Sequence, residues 1–470
     1  MTNWLPNLQR GSGPLYVRLA DQIERDIENG TLTPGTKLPP QRNLAYDVGV
    51  TIGTVSRAYS LVRQRGLVSG EVGRGTYVLE RIRTVRPDGV QAQPFGGTRS
   101  PLPEPGKTRM DSTAAPNVGQ AEVLTRIAER IARDYPADVA SYTRTLPTRW
   151  LEAGSQWLAR GDWNPQPETI VPTLGGHAGI LATIAAMTVP GDRIAFEEYT
   201  YSHVARSATV IGRRLLSVAI DEEGMVPEDF ERVCAQQHPR LVFLVPSLHN
   251  PTLSIMPEAR RQAIVDIART HNVWLIEDNI YGALLDKSPP LFASLAPERT
   301  FHVGSLSKSI AAGVRGGWIA SPLPYVSRVL TAHKMITGGI PFLLAELAAQ
   351  LVLSGEARSI HARVRAEIAA REAIAASVFA GKDFTSHPDA PFVWLRLPEP
   401  WLSSTFKQAA MEEDVLVDDE DEFKVGRAGS PLHRVRIAFT VPESRETVTR
   451  GLRKLRSLLD NPISGFDNYG

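Results

Sequence analysis

The sequence predicts a multidomain protein. A small, mostly helical N-terminal unit with a β-hairpin comes first, then an α/β domain with a largely parallel sheet and a smaller α+β lobe. Three observations carry this. The 470 residues exceed one ordinary domain. Residues 11 to 79 alternate amphipathic helical patterns with short turns. From about residue 117, short apolar runs alternate with helical patterns, as in a sheet covered by helices.

The first helix is read from "PLYVRLADQIERDIENG", which places Leu15, Leu19, Ile23 and Ile27 on one face and ends near Gly30. "PPQRNLAYDVGV" and "TIGTVSRAYSLVRQRG" predict two more helices, broken at Gly49, with Thr51 as N-cap of the second. Val55, Ala58, Tyr59 and Val62 form the inner face of that helix. Thr54, Ser56, Arg57 and Arg63 point elsewhere. "LVSGEVGRGTYVL" reads as a hairpin with Arg74 between two glycines at its tip.

Residues 81–116 are rich in Pro and Gly and lack an apolar period, so they are expected to form a semi-extended linker between domains at 11–80 and 117–465. In the large domain "RIAFEE", "LVFLVP", "VWLIED" and "TFHVGS" are runs of the kind buried on both faces of a sheet. The smaller lobe is expected mainly from about residue 360, where a long helix mixes with "FVWLRL" and "RVRIAFT".

Composition excludes some classes. Apolar residues at 42 % and charged residues at 22 % exclude a disordered chain. The net charge of +1 gives no global bias toward nucleic acid or membrane. Residues 1–83 nevertheless hold 11 Lys/Arg against 7 Asp/Glu, which hints at an acidic partner there. A lone cysteine, Cys234, cannot form an intramolecular disulfide and reads as a core filler in a reducing compartment. Neither a signal peptide nor a run of about 18 apolar residues is found, so a cytoplasmic protein without membrane contact is expected. No metal-binding cluster is expected.

Two helices joined at Gly49 have helix-turn-helix length, and the following hairpin would be a wing whose tip arginine suits a minor groove. "GTKLPPQRNLAYDVGVTIGTVSRAYSLVRQRGLVSGEVGRGTYV" resembles the winged helix-turn-helix of the GntR family. The resemblance implies binding to double-stranded DNA. The expected DNA-binding set is Arg42, Thr51, Thr54, Ser56, Arg57 and Arg74, with Tyr59 and Gly75 at positions where the family contacts DNA or shapes the wing. Pro40 and Ile52 depart from the serine and arginine common in the family, which bears on the operator sequence.

The stretch "HVGSLSKSIAAGVRGGW" sets Lys308 among hydroxyls and small residues, where an amine can lose its proton and act as a nucleophile. Its best-known use is a Schiff base with pyridoxal 5′-phosphate (PLP). That cofactor wants hydroxyls, an arginine and a helix start for its phosphate, and a carboxylate for its ring nitrogen. It also wants a donor to its phenolic oxygen and an aromatic on its ring. "PTLGGHAGI" offers Gly176 and His177 at a helix start; "EEYTY" offers Tyr201; "SLHNPT" offers Asn250; "LIEDNIYG" offers Asp278 and Tyr281. Ser305, Ser307 and Arg315 flank the lysine. These pieces fall at strand ends, where open α/β sheets bind ligands.

Residues 117 to 460 resemble fold-type I PLP enzymes of the aspartate aminotransferase class. The resemblance implies that Lys308 carries the cofactor as the catalytic or sensing amine. It implies that Asp278 pairs the ring nitrogen, that Tyr281 and Asn250 contact the phenolic oxygen, and that Tyr201 stacks on the ring. Gly176, His177, Ser305, Ser307 and Arg315 would hold the phosphate. Arg436 matches the arginine that clamps a substrate α-carboxylate, and Tyr142 one that reaches the partner subunit's phosphate. His177 stands where glutamine, serine or threonine is common.

Together the two parts resemble the MocR subfamily of GntR regulators. This implies a transcriptional regulator, a head-to-tail homodimer, that senses an amino acid or related amine by aldimine exchange at Lys308. Two alternatives stay open: an active PLP-dependent aminotransferase with an accessory DNA-binding domain, and a sensor of PLP itself controlling vitamin B6 metabolism.

Overall fold

The computed structural model describes residues 4–6, 14–64, 67–71, 75–79, 106–426 and 432–461. The N-terminal unit has three helices, α1 (Leu15–Glu28), α2 (Gln41–Asp47) and α3 (Ile52–Gln64), and a hairpin of β1 (Val68–Glu71) and β2 (Gly75–Val78). Leu19 and Ile23 of α1 bury against Leu44 of α2 and Val55, Ala58, Tyr59 and Val62 of α3, with Val68 and Val78 closing the cluster. Leu15, expected on the inner face, is exposed because it stands in the first turn, beyond the reach of α3. Tyr59 is buried and its hydroxyl donates to the Pro39 carbonyl at 2.7 Å, so its role is to lock α3 to the segment before α2. Gly49 takes a left-handed φ of 65° in the turn between α2 and α3. Thr51 Oγ1 accepts from Thr54 N at 3.2 Å and caps α3.

The linker expected over 81–116 is shorter at its C-terminal end, since the chain is folded onto the small lobe from Gly106. A two-residue strand, β3 (Thr108–Arg109), pairs in parallel with another, Val415–Leu416, and Met110 is fully buried. Strands this short leave no periodicity in a Pro/Gly-rich stretch. Residues 81–105 lie outside the described residues.

The large domain is built on a seven-stranded sheet of β4 (Ile170–Thr173), β5 (Arg193–Glu197), β6 (Arg214–Val218), β7 (Leu241–Leu244), β8 (Trp274–Asp278), β9 (Thr300–Ser305) and β10 (Gly317–Ala320). Its order is β4-β10-β9-β8-β7-β5-β6. Only β10 runs against its neighbours, so the sheet is mixed but largely parallel. Phe243, Ile276 and Phe301 pair across β7, β8 and β9, and all are fully buried. Continuous apolar strands of this kind need cover on both faces.

The small lobe contains the long helix Glu356–Val378 and a sheet of β11 (Phe384–Thr385), β12 (Phe392–Arg396), β14 (Asp418–Asp419) and β15 (Arg434–Ala438), ordered β11-β12-β15-β14. The partner of β3, Val415–Leu416, is β13. Cys234 is buried in the core. No described helix is long and apolar enough to cross a membrane.

Candidate functional site

The parallel strands aim their C-terminal ends at one edge of the sheet, and the antiparallel β10 starts there. β4 leads at that edge into the turn at Gly175 and Gly176, β8 ends on Asp278 and β9 on Ser305. A cavity of about 230 Å³ opens beside this edge, toward the small lobe. Gly176, His177, Tyr201, Asn250, Asp278, Tyr281, Ser305, Ser307, Lys308, Arg315 and Arg436 all line it. Eleven residues proposed from sequence, spread over 260 positions, therefore meet in one space. Tyr142 does not: it is 88 % exposed.

One end of the cavity is a cradle of small residues and donors. Gly175, with φ 80°, precedes the twelve-residue helix Gly176–Met187, whose first two residues line the cavity. A side chain on Gly317 would put its Cβ 2.8 Å from the Gly175 carbonyl carbon. Gly317 thus lets β10 press against the turn, while Gly316 makes room for Ala348 and Leu306. Arg315 itself takes a left-handed φ of 54°, and its guanidinium lies beside Gly175. Ser305 Oγ accepts from Ser307 N at 3.1 Å and donates to Ser307 Oγ at 3.0 Å. His177 Nε2 is 3.1 Å from Ser207 Oγ, and Nδ1 is buried without a hydrogen-bond partner. Burial and Arg315 both hold the His177 imidazole below its usual pKa.

In the middle stands Asp278. Burial pushes its carboxyl up to about 7, against the pull of the Ile280 N–H and the charge of Lys308. Oδ1 accepts from Ile280 N at 3.1 Å. Lys308 Nζ lies 5.8 Å from the centre of the Tyr281 ring. Tyr281 Oη is 2.6 Å from Thr113 Oγ1. Tyr201 packs its ring edge-on against both His177 and His203.

The other end holds Arg436. It reaches Asn250 Oδ1 at 2.8 Å, the Asp111 carbonyl at 3.1 Å and Asp418 Oδ2 at 2.5 Å. Glu422 lines the same cavity, 2.8 Å from Arg206 Nη1. Sequence reasoning missed Ser112, Thr113, His203, Glu422 and Phe423 in the lining. Ser112 and Thr113 were hidden in the linker stretch. Glu422 was hidden in the acidic run "DDEDEF", which resembles a solvated surface.

The arrangement fits PLP. A buried strand-end carboxyl, beside a lysine and a glycine-arginine cradle at a helix start, has the donor set of that group.

In the N-terminal unit Arg42, Thr51 and Arg57 are exposed, while Thr54 and Ser56 are half-buried. They lie on or beside α2 and α3, outside the core of Val55, Ala58 and Val62. Arg74 lies outside the described residues.

Residues 115–455 match the family of aminotransferases of class I and II, and residues 15–78 match the gntR family of bacterial regulatory proteins. An HTH-type transcriptional regulator, YdeF of Bacillus subtilis, is 31 % identical over 98 % of this chain and 97 % of its own. The pyridoxine biosynthesis regulator PdxR of Corynebacterium glutamicum is 28 % identical over 74 % of this chain and 75 % of its own. The probable rhizopine catabolism regulatory protein MocR of Rhizobium meliloti is 25 % identical over 71 % of each. Among solved structures, LysN, the α-aminoadipate aminotransferase of Thermus thermophilus, superposes with a TM-score of 0.68 at 22 % identity. It covers 77 % of this chain and 94 % of its own. An archaeal alanine:glyoxylate aminotransferase gives 0.67 at 24 %, over 76 % and 91 %. At these identities the two structures speak for the fold.

Proposed function

This chain belongs to the MocR subfamily of GntR-type regulators, a gntR helix-turn-helix unit joined to a class I and II aminotransferase domain, and on that premise we propose that it is a PLP-binding transcriptional regulator that senses a primary amine at Lys308. The observation that carries the reading is the presence in one chain of an exposed Arg42–Arg57 face and a cavity lined by Lys308 and Asp278.

PLP, when bound, supplies an aldehyde that condenses with primary amines. Gly176, His177, Ser305, Ser307 and Arg315 would hold its phosphate, by N–H groups, hydroxyls and a guanidinium. Asp278 would face the ring nitrogen, its buried carboxylate favouring a proton there. Asn250 and Tyr281 would donate to the phenolic oxygen, and Tyr201 would cover the ring. Lys308 Nζ is the amine that an effector displaces, and Arg436 faces the effector. An effector shifts DNA binding only through a difference in affinity between two conformations. In the bacterial cytosol the partners would be an operator, a small amine and a second copy of the chain, arranged head to tail.

The test is a gel-shift titration with full-length protein on DNA upstream of its own gene and the divergent neighbour, at fixed salt, with and without PLP and added amines. Binding tighter than to scrambled DNA, altered by an amine in the presence of PLP, is expected. A response to PLP alone would favour a sensor of PLP itself, in keeping with the name of the relative PdxR. A second reading, an active aminotransferase, is favoured by a cavity that gathers Lys308, Asp278, Tyr281 and Arg315. Multiple turnover with a 2-oxo acid acceptor would establish it.

A further inference from the structure

Arg436 faces the cavity with its charge already matched. Its Nη2 lies 2.5 Å from Asp418 Oδ2, and the two side chains are 2 % and 0 % exposed. The pair is built into the sheet: β14 and β15 are antiparallel neighbours, and Asp418 stands opposite Arg436 in the register. Nη1 is engaged by Asn250 and Nη2 also by the Asp111 carbonyl, which leaves Nε without a hydrogen-bond partner. Glu422, at the same end, is matched in turn by Arg206 at 2.8 Å and faces His203 at 3.5 Å.

Among the described residues, Arg315 and Arg436 are the arginines lining the cavity. Arg315 sits at the Gly175–Gly176 cradle, so of these two arginines it is Arg436 that a carboxylate beside an incoming amine meets. There it would become a second carboxylate on one guanidinium, beside a pair whose side chains are both buried. Like charges in low dielectric repel strongly, and displacing Asp418 would leave that buried carboxylate without its counter-ion.

We propose that Asp418 is a specificity-determining residue, which makes this pocket select primary amines without a carboxylate on the amine-bearing carbon over α-amino acids. The inference rests on the amine-sensing reading above and gives its ligand class. A ligand with a neutral group at that position brings no second negative charge to Asp418.

The experiment titrates full-length, PLP-loaded protein with L-alanine and with L-alaninamide, which differ only at the carboxylate. The two are compared at equal concentrations of unprotonated amine, and Kd is read from visible absorption and from calorimetry. Wild type is expected to bind L-alaninamide at least as tightly as L-alanine. Asp418→Asn is expected to tighten L-alanine about tenfold and to move L-alaninamide by less than about twofold. Tighter binding of L-alanine than of L-alaninamide by wild type would overturn the inference and leave amine sensing intact. So would an Asp418→Asn variant that does not gain affinity for L-alanine. Should the variant fail to retain PLP, the wild-type comparison decides alone. No response to either ligand in wild type would remove amine sensing itself, and this inference with it.

Discussion

Thr113 Oγ1 lies 2.6 Å from Tyr281 Oη, joining the segment that enters the large domain to the tyrosine beside Lys308. Both side chains are buried. Thr113→Val keeps the shape and removes the partner, so the phenol loses a hydrogen bond worth about 1–3 kcal/mol when left unmade. Weaker PLP retention, by about tenfold, is expected by equilibrium dialysis, with Thr113→Ser restoring it.

Lys308→Ala should abolish the visible absorption of PLP-loaded protein while leaving far-UV circular dichroism unchanged. An unaltered visible spectrum in the variant would show that another amine holds the aldehyde.

The raised pKa of Asp278 fixes a pH dependence. Between about pH 4 and about pH 7 the folded, cofactor-free protein holds a proton there that the unfolded chain has lost. Stability from this group is therefore greatest on the acidic side of that window and is lost as pH rises through about 7. A shift of about three units sets an upper bound of about 4 kcal/mol. The fall in Tm of cofactor-free protein from about pH 5 to about pH 8 should be smaller in Asp278→Asn than in wild type. An equal fall would place the titration elsewhere.

Gly317→Ala would drive a methyl to 2.8 Å from the Gly175 carbonyl carbon, backbone that cannot step aside cheaply. The cradle beside Arg315 should open. Overpacking of this kind costs about 1–3 kcal/mol, read as a lower Tm together with weaker binding of inorganic phosphate or PLP.

Arg57→Ala should weaken operator binding by about 1–3 kcal/mol in gel shifts and leave PLP uptake untouched. Loss of both would indicate a misfolded variant.

The residues legible in the sequence were those with local grammar. Lys308 with its serines and glycines, Asp278 three residues before Tyr281, and the Gly175–Gly176 turn each follow an apolar strand. One reading of strand ends therefore gathered them. Asp418 could not be found that way. It sits in a run of acidic residues that resembles a solvated loop, yet Asp418, Glu420 and Glu422 are all buried. Their partners Arg436 and Arg206 are brought in by a strand and a helix distant in sequence. Thr113 was hidden by the prolines and glycines before it, although its neighbour Met110 is buried and β3 is part of a sheet.

The pairing of β3 with β13 has a mechanical consequence. The chain arriving from the helix-turn-helix unit is fastened first to the small lobe, and only afterwards to the large sheet. The tether's anchor thus rides on the lobe that carries Arg436 and Asp418. Any reorientation of that lobe would carry with it the point where the chain coming from the DNA reader first joins the aminotransferase-like fold.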